Sequence, residues 1–182
     1  MIKIFEADLT GNEQIYLSEC VASGWISSQG RFVAEFEKMV LRDIVDRECL
    51  ATANGTVALH LALVALGVGP GDEVIVPDIT FGATLNAVLY AGAVPVIVDI
   101  DPNDWNISRE FLDSALTDKT KAILPVALYG NPSGISEIVD WASTRDIFSI
   151  VDAAEAVGAK IGGKDIGTFG DAVTYSYFGN KI

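Results

Sequence analysis

Histidine, cysteine and positive charge are all scarce in this sequence. Its 182 residues include one histidine, His60, and two cysteines, Cys20 and Cys49. Two cysteines so far apart have neither metal-ligand spacing nor the density of a disulfide framework. They read as buried free thiols, and no metal is expected. Twelve lysines and arginines face 25 aspartates and glutamates, for a net charge of −13. Nucleic-acid binding needs a basic stripe, and none is present. An acidic surface favours solubility, so an anionic ligand would need a local pocket of backbone N–H groups and dipoles. No apolar run approaches the ~20 residues of a membrane span. The start, Met1-Ile2-Lys3-Ile4-Phe5-Glu6, lacks the basic and apolar regions of a secretory signal, and the expected compartment is the cytoplasm.

What is abundant is apolar surface: half of the residues are hydrophobic, the composition of a globular chain with a substantial core. Residues 11–22 and 32–45 carry apolar side chains at helical spacing, as in Phe32, Phe36, Val40 and Ile44. Between them lies the glycine-bounded loop Gly24-Trp25-Ile26-Ser27-Ser28-Gln29-Gly30. Strand and helix patterns then alternate. Strands are expected over 48–52, 73–76, 94–99, 122–128, 148–152 and 172–176. Helices are expected over 56–66, 83–90, 108–116 and 135–143. The helix over 56–66 is apolar almost all round, which predicts burial on every side, and His60 inside it reads as a packing residue. Trp105 and Trp141 also read as packing residues. Lys160 and Lys164 fall in a glycine-rich stretch that reads as a solvated hairpin. Apolar strands separated by helices predict a mostly parallel sheet covered on both faces, an αβα sandwich in one domain.

Four local patterns could carry chemistry. Asn54-Gly55-Thr56 stands between an expected strand and a helix, where free N–H groups and the helix dipole favour an anion; an ordinary N-cap gives the same text. Asp152 ends a strand, at the sheet edge where open α/β sheets bind ligands. A loop acid or helix cap would look no different. Ser176-Tyr177-Phe178-Gly179-Asn180-Lys181 follows the last strand, and a lysine there can form a Schiff base or simply be solvated. Phe81, after another strand, can stack on a flat ring or pack into the core. Gly67-Val68-Gly69-Pro70-Gly71 suggests a dinucleotide fingerprint, but it follows a helix and precedes a strand, the reverse of what that motif requires. One cofactor explains the four patterns together. Pyridoxal 5'-phosphate (PLP) needs a phosphate cradle, a stacking side chain, an acid for its ring nitrogen and a lysine for its aldehyde.

The ordered set resembles the DegT/DnrJ/StrS family of sugar aminotransferases. It runs from Gly24-Trp25-Ile26-Ser27-Ser28-Gln29-Gly30 and Ala53-Asn54-Gly55-Thr56 through Gly69-Pro70-Gly71-Asp72-Glu73-Val74-Ile75-Val76-Pro77 and Asp99-Ile100-Asp101-Pro102. It continues through Val151-Asp152-Ala153-Ala154-Glu155-Ala156 and Gly167-Thr168-Phe169-Gly170-Asp171 to the lysine segment. The resemblance implies the large domain of a fold-type-I PLP transferase and a homodimer with shared active sites. It implies transfer of an amino group from glutamate to a nucleotide-linked 4-keto-6-deoxy sugar. Gly55, Thr56 and Ser176 are implied phosphate ligands and Phe81 the stacking residue. Asp152 is the implied partner of the ring nitrogen, Asn180 a cofactor neighbour and Lys181 the lysine that carries PLP. Glu155 is implied near the ring oxygen or the amino donor, and as glutamate it points to the perosamine-forming branch. Trp25, Ile26 and Ser27 are implied near the sugar. Members of the family run well past this lysine. Residues 1–182 are thus expected to be the N-terminal part of the large domain, with the small C-terminal domain absent. The alternative expectation is an inactive fragment or subunit-association module.

Overall fold

The computed structural model describes residues 8–44 and 47–181; Val45, expected to close the second helix, lies outside them. Five strands form one sheet: β1 (Glu73–Pro77), β2 (Val94–Val98), β3 (Thr120–Ile123), β4 (Phe148–Asp152) and β7 (Ala172–Thr174). Their order is β2-β1-β3-β4-β7, and all four pairings are parallel. The chain builds outward from β1 to β2, then reverses and adds β3, β4 and β7 on the other side. Such a reversal opens a crevice at the carboxyl ends of the strands.

Helices α3 (Gly55–Ala65) and α4 (Gly82–Tyr90) cover one face of the sheet, and α5 (Leu112–Ala115) and α6 (Ile135–Ser143) the other. Side chains along β1 alternate between the two cores, as strand geometry requires. Val74 and Val76 join Leu59, Leu63, Val88 and Ile150 on one side. Ile75 joins Leu112, Ile123, Ile138 and Trp141 on the other. Pro95 is accommodated because β2 is an edge strand paired only with β1. The hairpin of β5 (Lys160–Ile161) and β6 (Lys164–Asp165) turns through Gly162 and Gly163. Both glycines have positive φ, the conformation that two-residue hairpin turns demand.

Several elements depart from the sequence expectation. Residues 48–52 form no strand: the Ala51 N–H is taken by Glu37 Oε1 of α2 (Arg31–Asp43) instead of by a sheet neighbour. β3 stops at Ile123, short of 128. Pro125 lacks the N–H that would continue the ladder, which resumes as a single bridge between Val126 and Asp152. The helix expected over 108–116 is a 3₁₀ turn followed by one α turn. α3 is not buried all round: Leu59 and Leu63 are buried, while Val57, Leu61 and Val64 are exposed. His60 is half-buried, edge-on to Tyr90. Trp141 packs and donates its indole N–H to Asp113. Trp105 does not pack inside; it is exposed at positive φ. Cys20 and Cys49 are free but only partly buried.

Candidate active site

A cavity of about 880 Å³ opens at the carboxyl end of the sheet, bounded by the start of α3, the β1–α4 loop, the end of β4 and the segment after β7. Each boundary has a local reason. Asn54 is extended, and its side chain accepts from the Val57 N–H, starting α3. The first N–H groups of a helix lack intrahelical acceptors, and Gly55 and Thr56, which carry such groups, line the cavity. Ser176 lies across from them: a Cβ built on Gly55 would reach to 3.5 Å from Ser176 Cβ and 3.8 Å from its Oγ. Glycine therefore keeps open the gap between the helix start and this serine.

Phe81 immediately precedes α4 and is exposed toward the cavity mouth. Lys181 returns from β7 and places its Nζ 5.3 Å from the centre of the Phe81 ring. The same Nζ donates to Glu155 Oε1 at 2.9 Å, and the Tyr129 N–H donates to Glu155 Oε2 at 2.9 Å. Glu155 thus ties the lysine to a turn in which Tyr129 holds a left-handed φ of 51°. Gly130 follows, also at positive φ, and a Cβ there would press to 3.1 Å from the Glu155 carbonyl oxygen. Burial opposes ionisation of Glu155, but the hydrogen bonds from Lys181 and Tyr129 outweigh it and hold the carboxyl below its ordinary value.

Asp152 lies deeper and is 4 % exposed. Its backbone is fixed on both sides, with N–H donating to the Pro125 carbonyl and its own carbonyl accepting from Ala127. Oδ1 accepts from the Ala154 N–H at 3.1 Å and Oδ2 from Thr84 Oγ1 at 2.8 Å. Burial pushes this carboxyl above the usual carboxylate range, and Thr84, Ala154 and the Lys181 charge oppose the push. The cavity therefore offers one acid held ionised by a lysine and another that makes no ion pair among the described residues. Thr174 adds a buried hydroxyl with no partner among the described residues, also in the cavity lining.

Gly55, Thr56, Phe81, Asp152, Glu155, Ser176, Asn180 and Lys181 are thus brought to one cavity from segments up to the full length of the sheet domain apart. Trp25, Ile26 and Ser27 are not; they are exposed between α1 (Glu13–Ser23) and α2, and Trp25 and Ser27 line a separate hollow of about 250 Å³. Thr84, Thr80, Tyr129 and Thr174 were not singled out from sequence. The signal for the threonines was a hydroxyl near apolar neighbours, which demands a partner when buried; Tyr129 acts through its backbone N–H and gave no side-chain signal.

Residues 7–182 match the profile of the DegT/DnrJ/EryC1/StrS aminotransferase family. The chain belongs to this family. It is 47% identical to the GDP-perosamine synthase of Escherichia coli over 99% of its own length and 50% of that protein. It is 49% identical to the GDP-perosamine synthase of Caulobacter vibrioides, over 100% of the chain and 49% of that protein. The chain spans about half the length of the curated relatives it matches. Among solved structures, an aminotransferase from Psychrobacter cryohalolentis superposes with a TM-score of 0.89 at 35% identity, covering 96% of this chain and 44% of that one. Ntda from Bacillus subtilis, solved with its cofactor PMP bound, gives 0.87 at 36% identity, covering 98% and 40%. The family relationship agrees with the parallel αβα architecture.

Proposed function

We propose that the protein is a PLP-dependent aminotransferase that moves an amino group from glutamate to a nucleotide-linked 4-keto-6-deoxy sugar, as a GDP-perosamine synthase does, for a surface polysaccharide such as O-antigen. The observation that carries the reading is the approach of Lys181 over the Phe81 ring, in a cavity also lined by a buried acid at the end of β4. Three features support the fit of PLP: the gap that Gly55 keeps open and, among the described residues, the unpartnered Thr174 hydroxyl and a buried Asp152 that makes no ion pair. When bound, PLP supplies an electron sink for the carbon that loses its proton.

The chain's own residues take the following roles. Gly55, Thr56 and Ser176 hold the phosphate. Phe81 packs on the ring, and Asp152 pairs with the ring nitrogen, whose positive charge an adjacent carboxylate stabilises. Asn180 touches the cofactor beside Lys181. Glu155, which accepts from Lys181 Nζ in the cofactor-free protein, would stand beside the ring oxygen or the amino donor. Lys181 would hold the cofactor through its Nζ, and the same amine would carry the proton that moves. Residues 1–182 correspond to the N-terminal part of the large domain. The protein acts in the cytoplasm as a homodimer. Trp25, Ile26 and Ser27, remote from the cavity of their own chain, contact sugar in the site of a second copy.

The test is to mix the purified protein with PLP, reduce with borohydride and map the pyridoxyl group by peptide mass spectrometry. A single adduct at Lys181, lost in Lys181→Ala, is expected. No adduct, or labelling scattered over surface lysines, would overturn the reading and favour an association module.

A further inference from the structure

Thr84 is fully buried in the first turn of α4, and its hydroxyl meets one other hydroxyl and one carboxylate. It donates to Asp152 Oδ2 at 2.8 Å, and it lies 2.8 Å from Thr80 Oγ1. A threonine hydroxyl has one proton. Since Thr84 gives its proton to Asp152, the contact with Thr80 requires Thr80 to be the donor. The two hydroxyls therefore form a one-way chain, Thr80 to Thr84 to Asp152, in which each bond polarises the next. Thr80 precedes the extended N-cap residue Phe81, so the turn into α4, and not helical spacing, brings its hydroxyl to Thr84. The carboxylate they serve is 68 residues further along the chain.

We propose that Thr84 is a positioning residue for Asp152, aimed by Thr80, which fixes the rotation of the carboxylate and keeps it an acceptor toward the cavity. The proposal rests on the PLP reading above, since the cavity side of Asp152 is where the ring nitrogen would lie. Three features support it. Oδ1 is already held by the Ala154 N–H, so a donor on Oδ2 leaves the carboxylate no freedom to turn. Burial alone would favour the protonated acid, and Thr84 is the strongest single opponent of that effect. The other charged groups facing Asp152 are Lys181, which assists, and Glu155, which opposes. Lys181 is committed to Glu155, so the neutral hydroxyl chain carries the task.

The test is a titration of the Asp152 carboxyl by ¹³C NMR in the cofactor-free protein, its resonance identified by its loss in Asp152→Asn. In Thr84→Val, which keeps the shape and removes the donor, the midpoint is expected to rise by about one pH unit, a tenfold change in proton affinity. Thr84→Ser should restore it to within a few tenths of a unit, and Thr80→Val should raise it by less than Thr84→Val does. With PLP added, the pH midpoint of the bound cofactor's absorption band should move in Thr84→Val and return in Thr84→Ser. An unchanged midpoint in folded Thr84→Val, or an equal shift in Thr84→Ser, would overturn the proposal. Should Thr84→Val not fold, an unmoved midpoint in Thr80→Val would do the same. Unmoved midpoints with the Lys181 label intact would remove the role of Thr84 alone. A Thr84-dependent titration without that label would remove the cofactor reading alone.

Discussion

Within β4, Ser149, Ile150 and Val151 lie in the middle of the sheet, and Asp152, one residue on, lies at its carboxyl end; all four are buried. The middle is saturated. Ile150 packs between the sheet and α3, and the ladder to β7 uses the backbone. The end is not. Among the described residues Asp152 is buried without an ion pair and the Thr174 hydroxyl, on the neighbouring strand, has no partner, while Lys181 is held by a glutamate from a loop. Equal burial thus has opposite meanings at two points of one strand. In the middle it stabilises the fold, and at the end it holds polar groups short of partners that a ligand could supply.

That contrast can be broken in order of effect. Ile150→Ala removes a fully buried side chain from the middle and is expected to cost about 2–5 kcal/mol in urea unfolding. The folded fraction should still take the borohydride-fixed label at Lys181. A destabilisation under about 1 kcal/mol would mean that the middle is less well packed than its burial implies.

Asp152→Asn should do the reverse. The amide keeps the size and can meet both Thr84 and Ala154, so the cofactor-free protein should be at least as stable at pH 7, by about 1 kcal/mol. Labelling should need far more PLP. The pH dependence follows from the raised carboxyl of Asp152. Such a group contributes stability in full below its unfolded value of about 3.9 and loses it as pH climbs through the folded value. The advantage of the asparagine variant should therefore grow over that climb. Urea midpoints measured from acid to neutral pH would check it, and a variant less stable at pH 7 would break the contrast.

Glu155→Gln is the smallest change. The Glu155 carboxyl is lowered, so its contribution is present above about 4.3 and lost as pH falls through the folded value. Replacing it should flatten the acid limb of stability by less than about 1 kcal/mol, since the pair with Lys181 is partly solvated. A steeper acid limb in the variant would contradict the assignment.

Much of the sheet was legible locally. The buried strands 73–76 and 148–152 read as continuous apolar runs, and the helix over 135–143 shows its apolar stripe. Asp152 stood out because it ends a strand pattern, and Lys181 because it follows one in a glycine-containing loop. Residues 48–52 misled because their apolar text lacked only a neighbour, and pairing is not a local property. α3 misled similarly: an all-apolar helix says that its faces avoid water, not which of them this chain covers. α1 repeats the lesson, with Ile15, Leu17 and Val21 all exposed.

The sequence by itself determined the alternation of strands and helices, the acidic balance, and the residue types at the carboxyl ends of the strands, since periodicity and turn chemistry act over a few neighbours. Only the tertiary structure decided that Lys181 reaches Glu155 and the Phe81 ring, that Trp25 lies apart from them, and that Thr84 meets Asp152 across 68 residues. Hydrogen bonds and burial depend on distance in space, and strand order, which no single segment encodes, sets that distance.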